Sequence, residues 1–173
     1  AAHLDLKPQN ILLGVDYQLK IADFDLSYLE GDSVVLSKGT KFFRAPEVLG
    51  KSIKRPQAAD IYSAGIILFV LKTGGTLPHV ENMTYKGYHL NDLLNNDNKK
   101  FWKCHSEFLR KPDNFFSEEF KDLFNSMTTR QPKDRPSISD IKNSEWFQGE
   151  VYSDKELREI MKRSLQISKK VPL

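Results

Sequence analysis

The sequence predicts a mainly α-helical domain with one short β-hairpin, and three observations carry that expectation. The stretch from Asp60 to Thr73 is apolar nearly all round and stops at Gly74-Gly75, which reads as a buried central helix with a glycine cap. Phe120, Leu123, Phe124 and Met127 recur at i, i+3, i+4 and i+7, one face of an amphipathic helix. Ile11 to Leu13 and Leu19 to Ala22 are short apolar or alternating runs, joined by Gly14-Val15-Asp16-Tyr17 with its turn chemistry.

In chain order the hairpin comes first. Its second run, Leu19-Lys20-Ile21-Ala22, alternates as a half-buried strand would, and the pairing is expected to deliver Asp23 to the same side as Asp5. From Leu26 to Lys41 no period holds, and Gly31, Asp32, Ser33, Ser37 and Gly39 suggest an exposed loop, of a length that is usually functional. After the central helix, Leu90, Leu93 and Leu94 mark a shorter one beyond a loop containing Pro78. Ser117 is the expected N-cap of the next helix, with Glu118 and Glu119 in its first turn. Ser137-Ile138-Ser139-Asp140 opens another short helix, and Trp146-Phe147 closes the packed region. Ser153-Asp154-Lys155-Glu156 is a capping-box pattern opening a last helix, with Leu157, Ile160, Met161 and Leu165 on one side.

At 173 residues the chain is long enough for one domain with a sizeable core. A net charge of +3 gives no case for nucleic acid as a partner. The single cysteine, Cys104, excludes an internal disulfide and fits a reducing compartment, so a cytoplasmic location is expected. The longest apolar run, Ala64 to Leu71 broken by Gly65, falls well short of the roughly 20 residues of a membrane span, and no membrane partner is expected. His79, His89 and His105 show no metal-ligand spacing. The alanine at position 1 and the lack of a visible signal peptide lead us to expect a soluble fragment of a longer chain.

Asp5, Asn10 and Asp23 put two carboxylates and an amide at spacings suited to holding magnesium and a hydroxyl nucleophile around a phosphate. Alone, Asp5 and Asn10 would be read as turn caps. They are accompanied, however, by further blocks in a fixed order. His3-Leu4-Asp5-Leu6-Lys7-Pro8-Gln9-Asn10 is close to H-R-D-L-x-x-x-N, and Asp23-Phe24-Asp25 is close to D-F-G. Gly39-Thr40, Ala45-Pro46-Glu47, Asp60-Ile61-Tyr62-Ser63-Ala64-Gly65 and Asp134-Arg135-Pro136 follow. Together they resemble the large, C-terminal lobe of a eukaryotic serine/threonine protein kinase, with calcium/calmodulin-dependent-kinase-like character.

The resemblance implies a kinase-like C-terminal lobe over residues 1–147, followed by a basic amphipathic helical tail over 148–173. It implies transfer of the ATP γ-phosphate to a protein serine or threonine hydroxyl, with ATP and magnesium required. Asp5 would be the catalytic base and Lys7 would neutralise charge on the transferred phosphate. Asn10 and Asp23 would hold the metal, Leu12 would belong to the nucleotide site, and Thr40 to the substrate loop. His3, Phe24, Glu47, Asp60 and Arg135 would be structural: Asp60 accepting backbone hydrogen bonds from the catalytic loop, His3 stacking with Phe24, and Glu47 pairing with Arg135.

The chain also departs from the family pattern. Leu4 replaces the arginine that usually receives an activation-loop phosphate, and Leu36 stands where the phosphorylated residue is often found, so activity is not expected to depend on phosphorylation there. Ser33 and Ser37 remain as other hydroxyls of that loop. Asp25 replaces the glycine of D-F-G, restricting the backbone and adding charge beside Asp23. Gln9 and Val70 stand where glutamates often select basic substrates, so no strong preference for upstream arginine is expected. No Gly-rich phosphate loop and no V-A-I-K-type lysine occur, so the small lobe is an expected partner and the chain alone is expected to be inactive. The alternative is a catalytically impaired pseudokinase serving as a protein-binding scaffold. Lys162, Arg163, Lys169 and Lys170 make the tail basic, and it is expected to pack as a solvated helix, with calmodulin or another regulatory protein as the second reading.

Overall fold

One helix, α1 (Pro56–Thr73), is shared by two hydrophobic cores. It opens with Pro56, whose fixed φ suits a first helical position, and it ends at Gly74 in the left-handed conformation at φ 71°. Being apolar nearly all round, it can bury two sides. Phe69 enters one core, and Ala59, Tyr62, Ile66 and Ile67 enter the other. The computed structural model describes residues 1–31, 39–49, 54–79 and 84–168, with side chains through 164. Ser33, Leu36, Ser37, Lys169 and Lys170 lie outside the described residues, as does the side chain of Leu165.

The first core is aromatic. Phe69 meets Phe101, Trp102, Phe116 and Phe124 with ring centroids 5.3–6.1 Å apart. These rings come from α3 (Asn98–Phe108), α4 (Glu118–Thr128) and the connection between them, while α2 (Leu90–Asn96) contributes Leu90, Leu93 and Leu94. α4 begins where its cap predicts, the Ser117 hydroxyl accepting from the Phe120 amide, and it packs against α1. The close approach depends on Gly65: a Cβ there would come within 2.9 Å of Thr128 Cγ2 and 3.1 Å of Met127 Cβ.

The second core lies beneath the loop that opens the chain. Ala2 and Leu4 pack there with Phe43, Ala45 and Val48 and with the α1 residues named above. Next to it, β1 (Ile11–Leu13) and β2 (Leu19–Ile21) form the predicted antiparallel hairpin, with Ile11 opposite Ile21. A second small hairpin, β3 (Thr84–Tyr85) with β4 (Tyr88–His89), precedes α2. Ser137 caps α5 (Ile138–Lys142) in a full capping box with Asp140. Ser153 and Glu156 do the same at the start of α6 (Asp154–Ser168). Among the described residues no helix is long and apolar enough to cross a membrane.

Two expectations need correction. β2 is not half-buried: all three of its residues are exposed, Leu19 at 68% and Ile21 at 52%, and it is Ile11 of β1 that carries the hairpin's contact with the second core. The central helix starts at Pro56 rather than near Asp60. Trp146 and Phe147 stand at the edge of the packed region: both are partly exposed, and Trp146 meets Phe120 of the aromatic core edge-on.

Candidate active site

The loop His3–Asn10 is hung from α1 by its main chain. The amides of His3 and Leu4 donate to the two oxygens of Asp60, at 2.6 and 2.7 Å. Reaching both oxygens of one carboxylate with consecutive amides bends the chain, and Leu4 sits at φ 65°, a left-handed conformation that costs a non-glycine residue about 1 kcal/mol or more. Burial of its side chain among Phe43, Ala45 and Val48 offsets that strain. Burial also drives the Asp60 carboxyl upward, against the two amides, and its pKa stands above the ordinary range.

This bend presents Asp5. One of its oxygens accepts both the Thr40 amide and the Thr40 hydroxyl, each at 2.7 Å. The other accepts from Lys7 Nζ at 2.6 Å, and Lys7 also reaches the Thr40 hydroxyl oxygen at 3.1 Å. Partial burial pushes the Asp5 pKa up, but the hydrogen bonds from Lys7 and Thr40 together with the charge of Lys7 outweigh it, and the net shift is downward. Asp5 is therefore an ionised carboxylate, positioned by a residue 35 positions away in sequence.

Asn10 ends a single 3-10 turn begun by Pro8. Its side-chain amide nitrogen donates to the Asp5 carbonyl at 3.0 Å, which fixes the amide and leaves its oxygen on the opposite side. The Asn10 carbonyl accepts from Ala22, and the Ala22 carbonyl in turn accepts from His3 Nε2, both at 2.9 Å. His3 Nδ1 accepts the Asp5 amide at 3.3 Å, so both ring nitrogens are engaged. These bonds bring Asp23, the next residue after Ala22, beside the loop, exposed and at φ 66°. His3 and Phe24 meet at 4.9 Å between centroids with their rings tilted by 56° rather than stacked.

The oxygens these two residues offer, the carboxamide of buried Asn10 and the carboxylate of exposed Asp23, are hard donors with no nitrogen or sulfur among them. They fit magnesium, which binds through one or two protein oxygens with water and phosphate completing its shell. Among the described residues no group of three or more histidine, cysteine or acidic side chains converges into a metal cage.

Asp25 behaves differently from expectation. It is not among the residues at positive φ; the left-handed residue of this triplet is Asp23, and Asp25 occupies a turn closed by the Ser27 amide on the Phe24 carbonyl. Its side chain therefore imposes no backbone penalty, and its added charge is the remaining difference from glycine. Leu12 lies on β1 with its side chain exposed.

Supporting this site, Arg135 forms a two-pronged pair with Glu47, at 2.6 and 2.8 Å, with its side chain 0% exposed against 18% for Glu47. The guanidinium also donates to the carbonyls of Ala58, Thr129 and Arg130 and lies 5.0 Å from the Tyr62 ring centre. Burial pushes the Tyr62 phenol up to about 12 against the opposing charge of Arg135, and its hydroxyl lies 3.0 Å from His79 Nε2. The two contacts made by Tyr62 were not foreseen; an aromatic residue two positions after Asp60 is the only local signal.

With this geometry in view, comparison with known proteins is direct. The family model described as the protein kinase domain matches residues 1–147. CBL-interacting protein kinase 11 of Oryza sativa subsp. japonica is 36% identical over 154 residues, covering 86% of this chain and 28% of the relative. CBL-interacting serine/threonine-protein kinases 8 and 24 of Arabidopsis thaliana are 36% and 37% identical over 148 residues, covering 84% of this chain and 30% of each relative. The chain thus spans about three tenths of the length of these curated relatives. Loop, carboxylates and sequence matches agree, and the chain belongs to the protein kinase domain family.

Proposed function

We propose that this chain is the large-lobe part of a cytoplasmic serine/threonine protein kinase with calcium/calmodulin-kinase-like character, its first 147 residues forming the lobe and the remainder a basic amphipathic helical tail. The observation that carries the reading is the Asp5 carboxylate, held ionised by Lys7 and by both hydrogen-bond donors of Thr40. In this role Asp5 orients the hydroxyl of a substrate serine or threonine and takes its proton, while Lys7 balances charge beside it. Asn10 and Asp23 supply the oxygens for magnesium, and Leu12 contributes apolar surface to the nucleotide site. When bound, magnesium neutralises the phosphates of ATP. The names of the relatives, serine/threonine kinases that interact with another protein, support a protein substrate and a regulatory protein partner. The exposed apolar hairpin supports a small lobe, or its equivalent, as a further partner.

The test is Asp5→Asn in the complete protein, assayed for phosphoryl transfer from magnesium-ATP to a serine peptide. The substitution keeps the shape and removes the proton acceptor, and a loss of at least about a hundredfold is expected. Unchanged transfer would refute the assignment. Asp25, an extra carboxylate beside the metal side, favours a second reading, a catalytically silent scaffold. That reading requires that magnesium-ATP give no thermal shift in the complete protein.

A further inference from the structure

Two amphipathic surfaces of opposite charge occur in this chain, and neither meets its complement among the described residues. The first is a trench between α4 and the stretch from α5 to Val151. Two adjoining clefts, of about 370 and 940 Å³, share Glu119 and Glu145 on their walls, and Asp122, Asp140 and Glu150 complete the acidic lining. Among the described residues no lysine, arginine or histidine lines either cleft, and no cation pairs with any of the five carboxylates. The hydrogen bonds that Asp140 and Glu119 accept come from Ser137 and Ser117, neutral donors that leave the charge in place. Lys121, beside them on α4, is taken up by Glu118. The larger cleft is also apolar, through the exposed Trp146, Phe147 and Val151.

The second surface is α6. None of its described residues belongs to either core, and its stripe of Leu157, Ile160 and Met161 is left partly exposed. Beyond Ile160 the sequence has Lys162, Arg163, Lys169 and Lys170 and no acid. Lys162 and Arg163 are exposed, and neither has an acidic partner among the described residues. An apolar stripe flanked by cations is the complement of an aromatic cleft flanked by carboxylates. The helix leads away from its own chain's trench. It begins at Asp154, three residues after Val151, and Lys162 lies eight residues further, about 12 Å along the axis. On the way Arg158 faces Tyr17 in the turn of the first hairpin, its guanidinium 5.9 Å from the ring centre. A second copy of the chain supplies both the matching helix and the matching trench.

We propose that the chain forms a symmetric dimer in which α6 of each copy seats in the aromatic, acidic trench of the other. Lys162 and Arg163 meet the carboxylates there, and the Leu157, Ile160 and Met161 stripe covers Trp146 and Phe147. Such an exchange is self-complementary, so it closes at two copies. It uses none of the residues assigned to phosphoryl transfer.

Sedimentation velocity on the complete protein, at low salt and over a range of concentrations, reads the mass without reference to phosphoryl transfer. The unmodified protein should be dimeric and should dissociate as salt rises. Two variants each reverse one side: Glu145→Lys with Glu150→Lys in the trench, and Lys162→Glu with Arg163→Glu on the helix. Each variant alone should dimerise at least about tenfold more weakly, because like charges then meet. All four positions are exposed, so circular dichroism should show the fold unchanged. Mixed in equal amounts, the two variants should dimerise again, since each offers the charge that the other has lost. The four substitutions placed together in one chain should likewise restore the dimer. A monomeric unmodified protein, a dimer that survives either reversal and so is built through another face such as the exposed hairpin, or a mixture that stays monomeric would overturn the proposal.

Discussion

Removing Glu47 alone should destabilise this protein more than removing Glu47 and Arg135 together. Arg135 is enclosed on every side, and without its carboxylate partner it becomes a buried unpaired cation, a change worth about 3–5 kcal/mol. Replacing both residues by apolar ones of similar size removes the charge as well as the pair. Denaturant unfolding of Glu47→Leu, Arg135→Met and the double variant measures this, and additive losses would contradict it. His105 makes a prediction of a different kind. Its Nε2 donates to the Pro78 carbonyl at 2.8 Å, while Nδ1 is buried with no partner among the described residues, so protonation would add a donor that none of them receives. Burial pushes its pKa down to about 4 from 6.5. The unfolded state therefore binds more protons between these values, and the stabilisation is full above about pH 6.5 and lost as pH falls toward 4. The difference is about 3 kcal/mol, and His105→Gln should flatten that part of the pH profile of unfolding.

Helices differ in how much of themselves they declare locally. α4, α5 and α6 were legible because a serine cap and an acidic partner lie within one turn of each start. α3 was not. It opens on Asn98, Lys99 and Lys100, and alongside Phe101 and Trp102 its buried face carries Cys104, His105 and Ser106, so its inward side reads as half polar. Its cap, Asp97 accepting from the Lys100 amide, was the available signal. The exposure of β2 was illegible for the opposite reason, since an alternating pattern reports a strand with one apolar face and not whether anything covers it. Where α1 meets α4, Gly65→Ala sets two effects against each other. Alanine improves helix propensity by up to about 1 kcal/mol, but its Cβ would overlap Met127 Cβ and Thr128 Cγ2, and Thr128 is pinned by its hydroxyl on the Phe124 carbonyl. Overpacking of this kind costs about 1–3 kcal/mol, so a net loss is expected, and a raised melting temperature in Gly65→Ala would show that the helices separate freely.

For the whole molecule, sharing α1 between two cores makes their stabilities inseparable. Phe69→Ala, in the aromatic core, should lower the unfolding free energy reported by residues of the other core as much as that reported by Trp102, by about 3–5 kcal/mol in each case. Two separate transitions, seen by tryptophan fluorescence and by amide exchange at Leu4 or Ile66, would show that the cores fold independently. Much of the site was visible in advance as a list of residues: Asp5, Lys7, Asn10, Asp23, Glu47, Asp60 and Arg135 were all named from motif order. What joins them was less visible, because the bonds cross 35 residues from Thr40 to Asp5 and 57 from Asp60 to His3, and linear spacing carries no such distances. The Asp60 bonds bear on how this chain can drift under selection. Since α1 grips the loop by its amides, the side chain at position 4 answers only to its apolar surroundings and its left-handed backbone, whereas position 60 answers to two fixed donors. In a saturation library, methionine should survive at position 4, valine and isoleucine should be purged there by their branched Cβ, and position 60 should tolerate aspartate alone.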